Sequence, residues 1–204
     1  HEVEGLGAGG EVGVSVARHG HLSDANDDGY PLGGQHAARL AGPSGGGGGW
    51  YAGPRMRIAI GSDHAGVELK AAVGAYLIDL GHEVDDLGPS DPGASVDYPD
   101  YGAAVASAVT SGKAELGVAI CGSGIGIAMA ANKVPGARAA VLHDVTEARL
   151  ARQHNHANVI CFGARTMGVA VVHDAIDAFL GAEPEARHQL RLDKLANLDA
   201  ERGA

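Results

Sequence analysis

The chain has 204 residues and a formal net charge of −10; 45% of its residues are hydrophobic and 20% charged. That is enough apolar material for one good core, while the acidic balance argues against a nucleic-acid-binding surface, because it repels phosphates unless a local basic patch overrides it. No apolar run is long enough for a membrane span, and two cysteines without a C-x-x-C pair suit a reduced, cytoplasmic protein better than a disulfide scaffold.

Residues 1–55 hold 16 of the 33 glycines, including Gly45 to Gly49, and no Lys, Ile, Phe, Cys or Met. Such a segment cannot build a core of its own and is read as a disordered leader. It has neither an apolar h-region nor a Lys/Arg-led n-region, so it does not read as a signal peptide. Met56 is the first methionine and directly precedes the first convincing strand. The expectation is that Met56 is the natural start, with residues 1–55 as translated upstream sequence or a dispensable tail, and residues 56–204 as one domain.

From Met56 on, strands and helices alternate with short turns. Strands are predicted at 57–61, 82–87, 116–121, 138–142 and 158–162, and helices at 65–80, 99–111, 126–132, 145–155 and 167–180. Asp144, with Glu147 three residues on, resembles a capping box and marks the start of the fourth helix. The polar, Arg-rich chain from Glu183 reads as a last helix that packs outward. The alternation predicts an α/β fold: three α/β/α layers around a five-stranded parallel sheet, Rossmann or flavodoxin-like, plus a C-terminal helix.

Ligands of open parallel sheets bind beyond the carboxyl ends of the strands. There the sequence places Gly61 to Gly66, Leu87 to Gly93, Cys121 to Gly126, His143-Asp144 and Gly163 to Arg165. The most informative stretch is Ala119-Ile-Cys-Gly-Ser-Gly-Ile-Gly-Ile-Ala128, where an apolar strand breaks into a glycine turn that opens a helix. Glycines let backbone N–H groups face a ligand, and a helix N-terminus favours an anion. The same field favours a thiolate, making Cys121 a candidate base or nucleophile. The first strand leads into G-S-D-H-A-G rather than G-x-G-x-x-G, and no Gly-Lys-Ser/Thr follows the glycines, so dinucleotide and Walker-type sites are disfavoured. His154-Asn-His156 is too close for a helical zinc pair and H-E-x-x-H is missing, so no metal is expected. Arg187 and Arg191 have i,i+4 spacing, which would set two guanidinium groups on one helix face to clamp a phosphate.

Taken together, Gly61 to Gly66, Asp97-Tyr-Pro99, Cys121 to Gly126, Ala130 to Lys133, Arg152-Gln-His-Asn155, Phe162 to Arg165 and Arg187 to Arg191 resemble the type B ribose-5-phosphate isomerase family, which includes related sugar-phosphate isomerases. The resemblance runs from Met56 to about Asp199. It implies a cofactor-free aldose–ketose isomerisation through a cis-enediolate. Cys121 then matches the proton acceptor between C2 and C1, and Ser123 a relay between O1 and O2. Gly122, Ser123, Gly124, Ile125 and Gly126 match the loop that stabilises the enediolate oxygen, as an oxyanion hole does. His154 matches the group that assists furanose opening. Asp63, His64 and Asn155 match substrate contacts, and Arg165, Arg187 and Arg191 match polar and phosphate-binding positions. Members that lack the cysteine use a glutamate further along the loop; Ile127 stands there here, leaving Cys121 as the base.

The resemblance further implies a site completed at a homodimer interface, with pairing into a tetramer left open. The leading expectation is interconversion of ribose 5-phosphate and ribulose 5-phosphate. Alternatives are a tetrulose 4-phosphate, allose 6-phosphate or galactose 6-phosphate substrate, or a non-catalytic phosphosugar- or nucleotide-binding module. Cys161 is read as a small hydrophobe, and Tyr98 as a packing residue able to line the pocket.

Overall fold

The computed structural model describes residues 53–91, 93 and 95–202; the leader expected over 1–55 therefore lies outside the described residues, apart from its last three. Five parallel strands, β1 (Arg57–Ser62), β2 (Glu83–Asp86), β3 (Leu116–Cys121), β4 (Ala139–Val141) and β5 (Val159–Gly163), form one sheet in the order β2-β1-β3-β5-β4. Between and after them run α1 (Val67–Asp79), α2 (Tyr98–Thr110), α3 (Ile125–Ala131), α4 (Val145–Gln153), α5 (Val169–Leu180) and α6 (Gln189–Arg202). The three-layer architecture is the expected one. Its last two strands are exchanged relative to the flavodoxin-like order 2-1-3-4-5, so β5 is interior and the three-residue β4 forms an edge.

Strand alternation sorts large and small side chains onto opposite faces. Ile58, Ile60, Leu116, Val118, Ile120, Ile160 and Phe162 pack against α1, α4 and α5 through Leu69, Val73, Leu77, Ala148, Val172, Ile176 and Phe179. The opposite face carries Ala119, Cys121, Val159 and Cys161 and meets Val105, Ala106, Ile127, Ala128 and Ala131 of α2 and α3. Small residues there let α2 come close: a Cβ on Gly117 would stand 2.6 Å from Val105 Cγ1. The same alternation turns Cys121 toward α3.

Local chemistry sets the element ends. α1 starts later than predicted because the Asp63 carboxylate accepts from the N–H groups of Ala65 and Gly66, folding His64–Gly66 into a 3-10 turn first. Asp144 caps α4 through the N–H groups of Thr146 and Glu147, and Glu147 reaches back to the N–H of His143, one residue before the position a standard capping box would use. The last helix begins only at Gln189, after a 3-10 turn over Ala186–His188. Arg187 therefore precedes α6 and Arg191 lies within it; the expected single helix face does not exist. Leu190, Leu195 and Leu198 of α6 are 76%, 45% and 56% exposed. No helix among the described residues is long and apolar enough to cross a membrane.

Candidate active site

From β1 the chain runs outward to β2, then returns past β1 to β3, so its direction reverses between β1 and β3. A crevice opens at such a switch point. Here it is a cleft of about 370 Å³, at the small end of ligand sites. Asp63 enters it from the end of β1, Cys121, Gly122 and Ser123 from the end of β3, and Gly126 from α3; Tyr98, Arg165 and Thr166 complete the wall.

Each wall residue is tied down. The N–H of Asp63 bonds to the Ile120 carbonyl at 3.1 Å, so the aspartate beside β1 is fixed to the strand that carries the cysteine. Cys121 is 4% exposed, and the Gly124 N–H donates to its sulfur at 3.1 Å. That donor points inward because Gly124 adopts φ 78°, the left-handed region that favours glycine. Arg165 donates its N–H to the Gly122 carbonyl at 2.9 Å and lays its guanidinium over the same glycine, where an added Cβ would stand 3.4 Å from Nη1. Tyr98 packs on Gly126, whose added Cβ would meet the ring at 2.9 Å. The Ser123 hydroxyl accepts from the Ile125 N–H at 3.4 Å. The cleft thus brings together a sulfur, a fixed cation, a hydroxyl and a carboxylate. The N–H groups of the first turn of α3, Gly126 among them, have no intrahelical acceptor and add to its positive field. Cys161, fully buried one strand away, has its thiol pushed up by burial and then by Cys121; it packs as a core residue.

A second group of polar residues forms elsewhere in the chain. α4 starts beyond the carboxyl end of β4 and runs back to the start of β5, so His154, its C-cap, stands at the amino end of the sheet. Arg138, just before β4, confirms the location by donating to the His156 carbonyl at 3.0 Å. There Glu185 Oε2 lies 2.6 Å from Arg187 Nε, 3.5 Å from His188 Nε2 and 3.9 Å from His154 Nε2. The His154 and His188 ring centroids are 4.4 Å apart, and Arg191 Nη1 is 2.6 Å from His188 Nδ1. A strand of this length spans about 17–20 Å. Within one chain, therefore, Asp63, His64 and Cys121 fall at one end of the sheet and His154, Asn155, Arg187 and Arg191 at the other.

Among the described residues, His154, Glu185 and His188 are a group whose donor atoms, all within 4.8 Å of one another, could hold a metal. The surrounding chemistry disfavours one. A guanidinium only donates, so Arg191 makes His188 Nδ1 an acceptor and puts the proton of the neutral ring on Nε2, the atom a metal would need. Arg187 already pairs the carboxylate.

A family model described as Ribose/Galactose Isomerase matches residues 58–195. The chain belongs to that family. It is 42% identical over 147 residues to ribose-5-phosphate isomerase B of Escherichia coli, covering 72% of this chain and 98% of that protein. Galactose-6-phosphate isomerase subunit LacB of Clostridium acetobutylicum is 44% identical, over 63% of this chain and 73% of that protein. Among solved structures, ribose-5-phosphate isomerase B of Clostridium thermocellum superposes with a TM-score of 0.70 at 44% identity, covering 72% of this chain and 99% of that one. The Mycoplasma genitalium enzyme with bound ribulose-5-phosphate gives 0.68 at 41%, covering 71% and 97%.

Of the residues matched to the isomerase pattern in the sequence, Asp63, Cys121, Gly122, Ser123, Gly126 and Arg165 line the cleft. Gly124 acts from behind it through its N–H, and the Ile125 side chain is 50% exposed. His64 lies outside the lining, its Nδ1 donating to the Val96 carbonyl at 3.1 Å. His154, Asn155, Arg187 and Arg191 are the residues at the other end of the sheet. Sequence reasoning passed over Thr166, which follows a quoted motif directly, and gave Tyr98 only a possible place in the lining. It also gave no role to Glu185, two residues before Arg187, or to His188, which lies between the two arginines.

Proposed function

We propose that this isomerase interconverts D-ribose 5-phosphate and D-ribulose 5-phosphate by proton transfer through a cis-enediolate, without a cofactor. The observation that carries the reading is Cys121, set at the switch-point cleft with an N–H on its sulfur and Arg165 beside its loop, in a chain that matches ribose-5-phosphate isomerase B of Escherichia coli over 72% of its own length and 98% of that protein.

In this reading the Cys121 thiolate takes the C2 proton of the open-chain aldose. The C2 electron pair forms the C1–C2 double bond and the charge passes to O1, where Arg165 and the first-turn N–H groups of α3 stabilise it. Ser123 relays a proton from O2 to O1, the same sulfur returns its proton to C1, and the C2 carbonyl forms. Asp63 holds a sugar hydroxyl. His154 assists ring opening, Arg187 and Arg191 hold the phosphate, and His64 and Asn155 contact substrate.

His154, Asn155, Arg187 and Arg191 stand a strand-length from Cys121 in one chain, so the reading requires a second copy whose His154 end meets this copy's cleft. The homodimer is supported by the large apolar side chains left exposed on α3, Ile125 and Met129, and on α6, Leu190, Leu195 and Leu198. A phosphosugar substrate and free thiols suit the cytoplasm.

The test is ribulose 5-phosphate formation from ribose 5-phosphate by the full chain in metal chelator, beside Cys121→Ala, with solvent-hydrogen incorporation at C2 followed in parallel. Turnover and exchange in the parent and neither in the variant are expected. A clear preference for a tetrose or hexose phosphate would move the substrate assignment, and ligand binding without exchange would favour a binding module.

A further inference from the structure

We infer that Glu185 and His188 are positioning residues that hold Arg187 and Arg191 as a preset receptor for the substrate's phosphate; this rests on the function proposed above.

Two guanidinium groups and an imidazole crowded at one sheet end repel one another and have long, mobile side chains, so an anion receptor built from them needs internal braces. Glu185 is the first brace. Its Oε2 accepts from Arg187 Nε at 2.6 Å, and Arg187 in turn holds the carboxyl below its usual range. Binding through Nε leaves the Nη edge of Arg187 open, and on that edge Nη2 lies 3.4 Å from His154 Nε2. An anion captured there is thereby set beside the imidazole assigned to ring opening.

His188 is the second brace. It is 6% exposed, and its Nδ1 takes the Arg191 Nη1 donor at 2.6 Å. Its protonated Nε2 makes no hydrogen bond and faces Glu185 Oε2 at 3.5 Å. Burial first, then Arg187, His154 and Arg191, push its pKa below the usual imidazole range, against the opposing pull of Glu185. Neutrality is what the contact requires, because an imidazolium would turn an N–H on Arg191. One carboxylate thus braces Arg187 directly and faces the imidazole that braces Arg191.

The experiment uses the full chain with ribose 5-phosphate as substrate and inorganic phosphate as competitor. Glu185→Ala and His188→Phe are expected to raise KM and the phosphate inhibition constant together by about tenfold, with kcat changing much less. Glu185→Gln keeps a carbonyl for Arg187 Nε, and His188→Asn keeps an acceptor for Arg191; both are expected to recover most of the loss. An unchanged KM in folded Glu185→Ala and His188→Phe, or kcat falling in step with affinity in all four variants, would overturn the inference. If the parent does not turn over ribose 5-phosphate, the proposed function fails separately. Phosphate affinity by calorimetry then decides the positioning role: about tenfold weaker in the two disruptive variants supports it, and no change overturns it.

Discussion

The Gly124 N–H points at the Cys121 sulfur from 3.1 Å, and it does so because Gly124 occupies φ 78°. An added Cβ would be strained at that φ and would stand 3.0 Å from the Phe162 carbonyl carbon. Gly124→Ala is therefore expected to destabilise the protein by roughly 1–2 kcal/mol from the backbone alone and to lower kcat more than it raises KM, since the donor turns away from the sulfur. Thermal unfolding and steady-state kinetics check this; a variant with parental kcat would mean that the contact has no part in turnover.

Gly126 and Tyr98 form a second matched pair across the cleft wall. A methyl group on Gly126 meets the ring at 2.9 Å, so Gly126→Ala must push Tyr98 aside. The expected result is a several-fold rise in KM that shrinks when the same change is made in a Tyr98→Ala background, with a coupling energy of about 0.5–3 kcal/mol for residues in contact. Additive effects would show that the ring does not shape the substrate site.

The strands were legible because β1, β3 and β5 are short apolar runs buried on both faces, and the capping chemistry of Asp144 was legible because it is local. Periodicity says nothing about which strand lies beside which, so the exchange of β4 and β5 was not. The Cys121 half of the site was readable as a strand breaking into glycines. Which end of the sheet its far half would occupy was not legible: a helix that follows a strand returns the chain to the opposite end of the sheet, so His154 does not share a cleft with Cys121 of its own chain and only the expected homodimer interface would bring the two together. Arg187 and Arg191 were spaced for one helix face, but a 3-10 turn intervenes and His188 bonds to Arg191 instead.

Two histidines make stability sensitive to mild acid. Burial holds His82 below the usual imidazole range, and its Nδ1 accepts the Met56 N–H at 3.2 Å; His188 is lowered by burial and by Arg187, His154 and Arg191. The unfolded chain thus binds more protons than the folded one once pH falls through about 6.5, and stability falls with it. Urea midpoints between about pH 7.5 and 5.5, above the ordinary carboxylate range, are expected to decrease toward acid. The slope should be shallower in His82→Asn. A flat profile in the parent would contradict the burial argument.

The separation of Cys121 from His154 yields the sharpest test of the assembled site. If one copy supplies the sulfur and another the imidazole, Cys121→Ala and His154→Ala each ruin every site in their own homodimers. In a mixed dimer one site receives both lesions and the other receives neither. Random reassociation makes half of the dimers mixed, so an equimolar blend of the two nearly inactive proteins is expected to regain roughly a quarter of parental activity. Restoration should appear only after the subunits have exchanged, and should fail when either variant is blended with itself. A blend that stays as inactive as its components after demonstrated exchange would mean that both groups serve the same chain or that His154 has no part in the reaction.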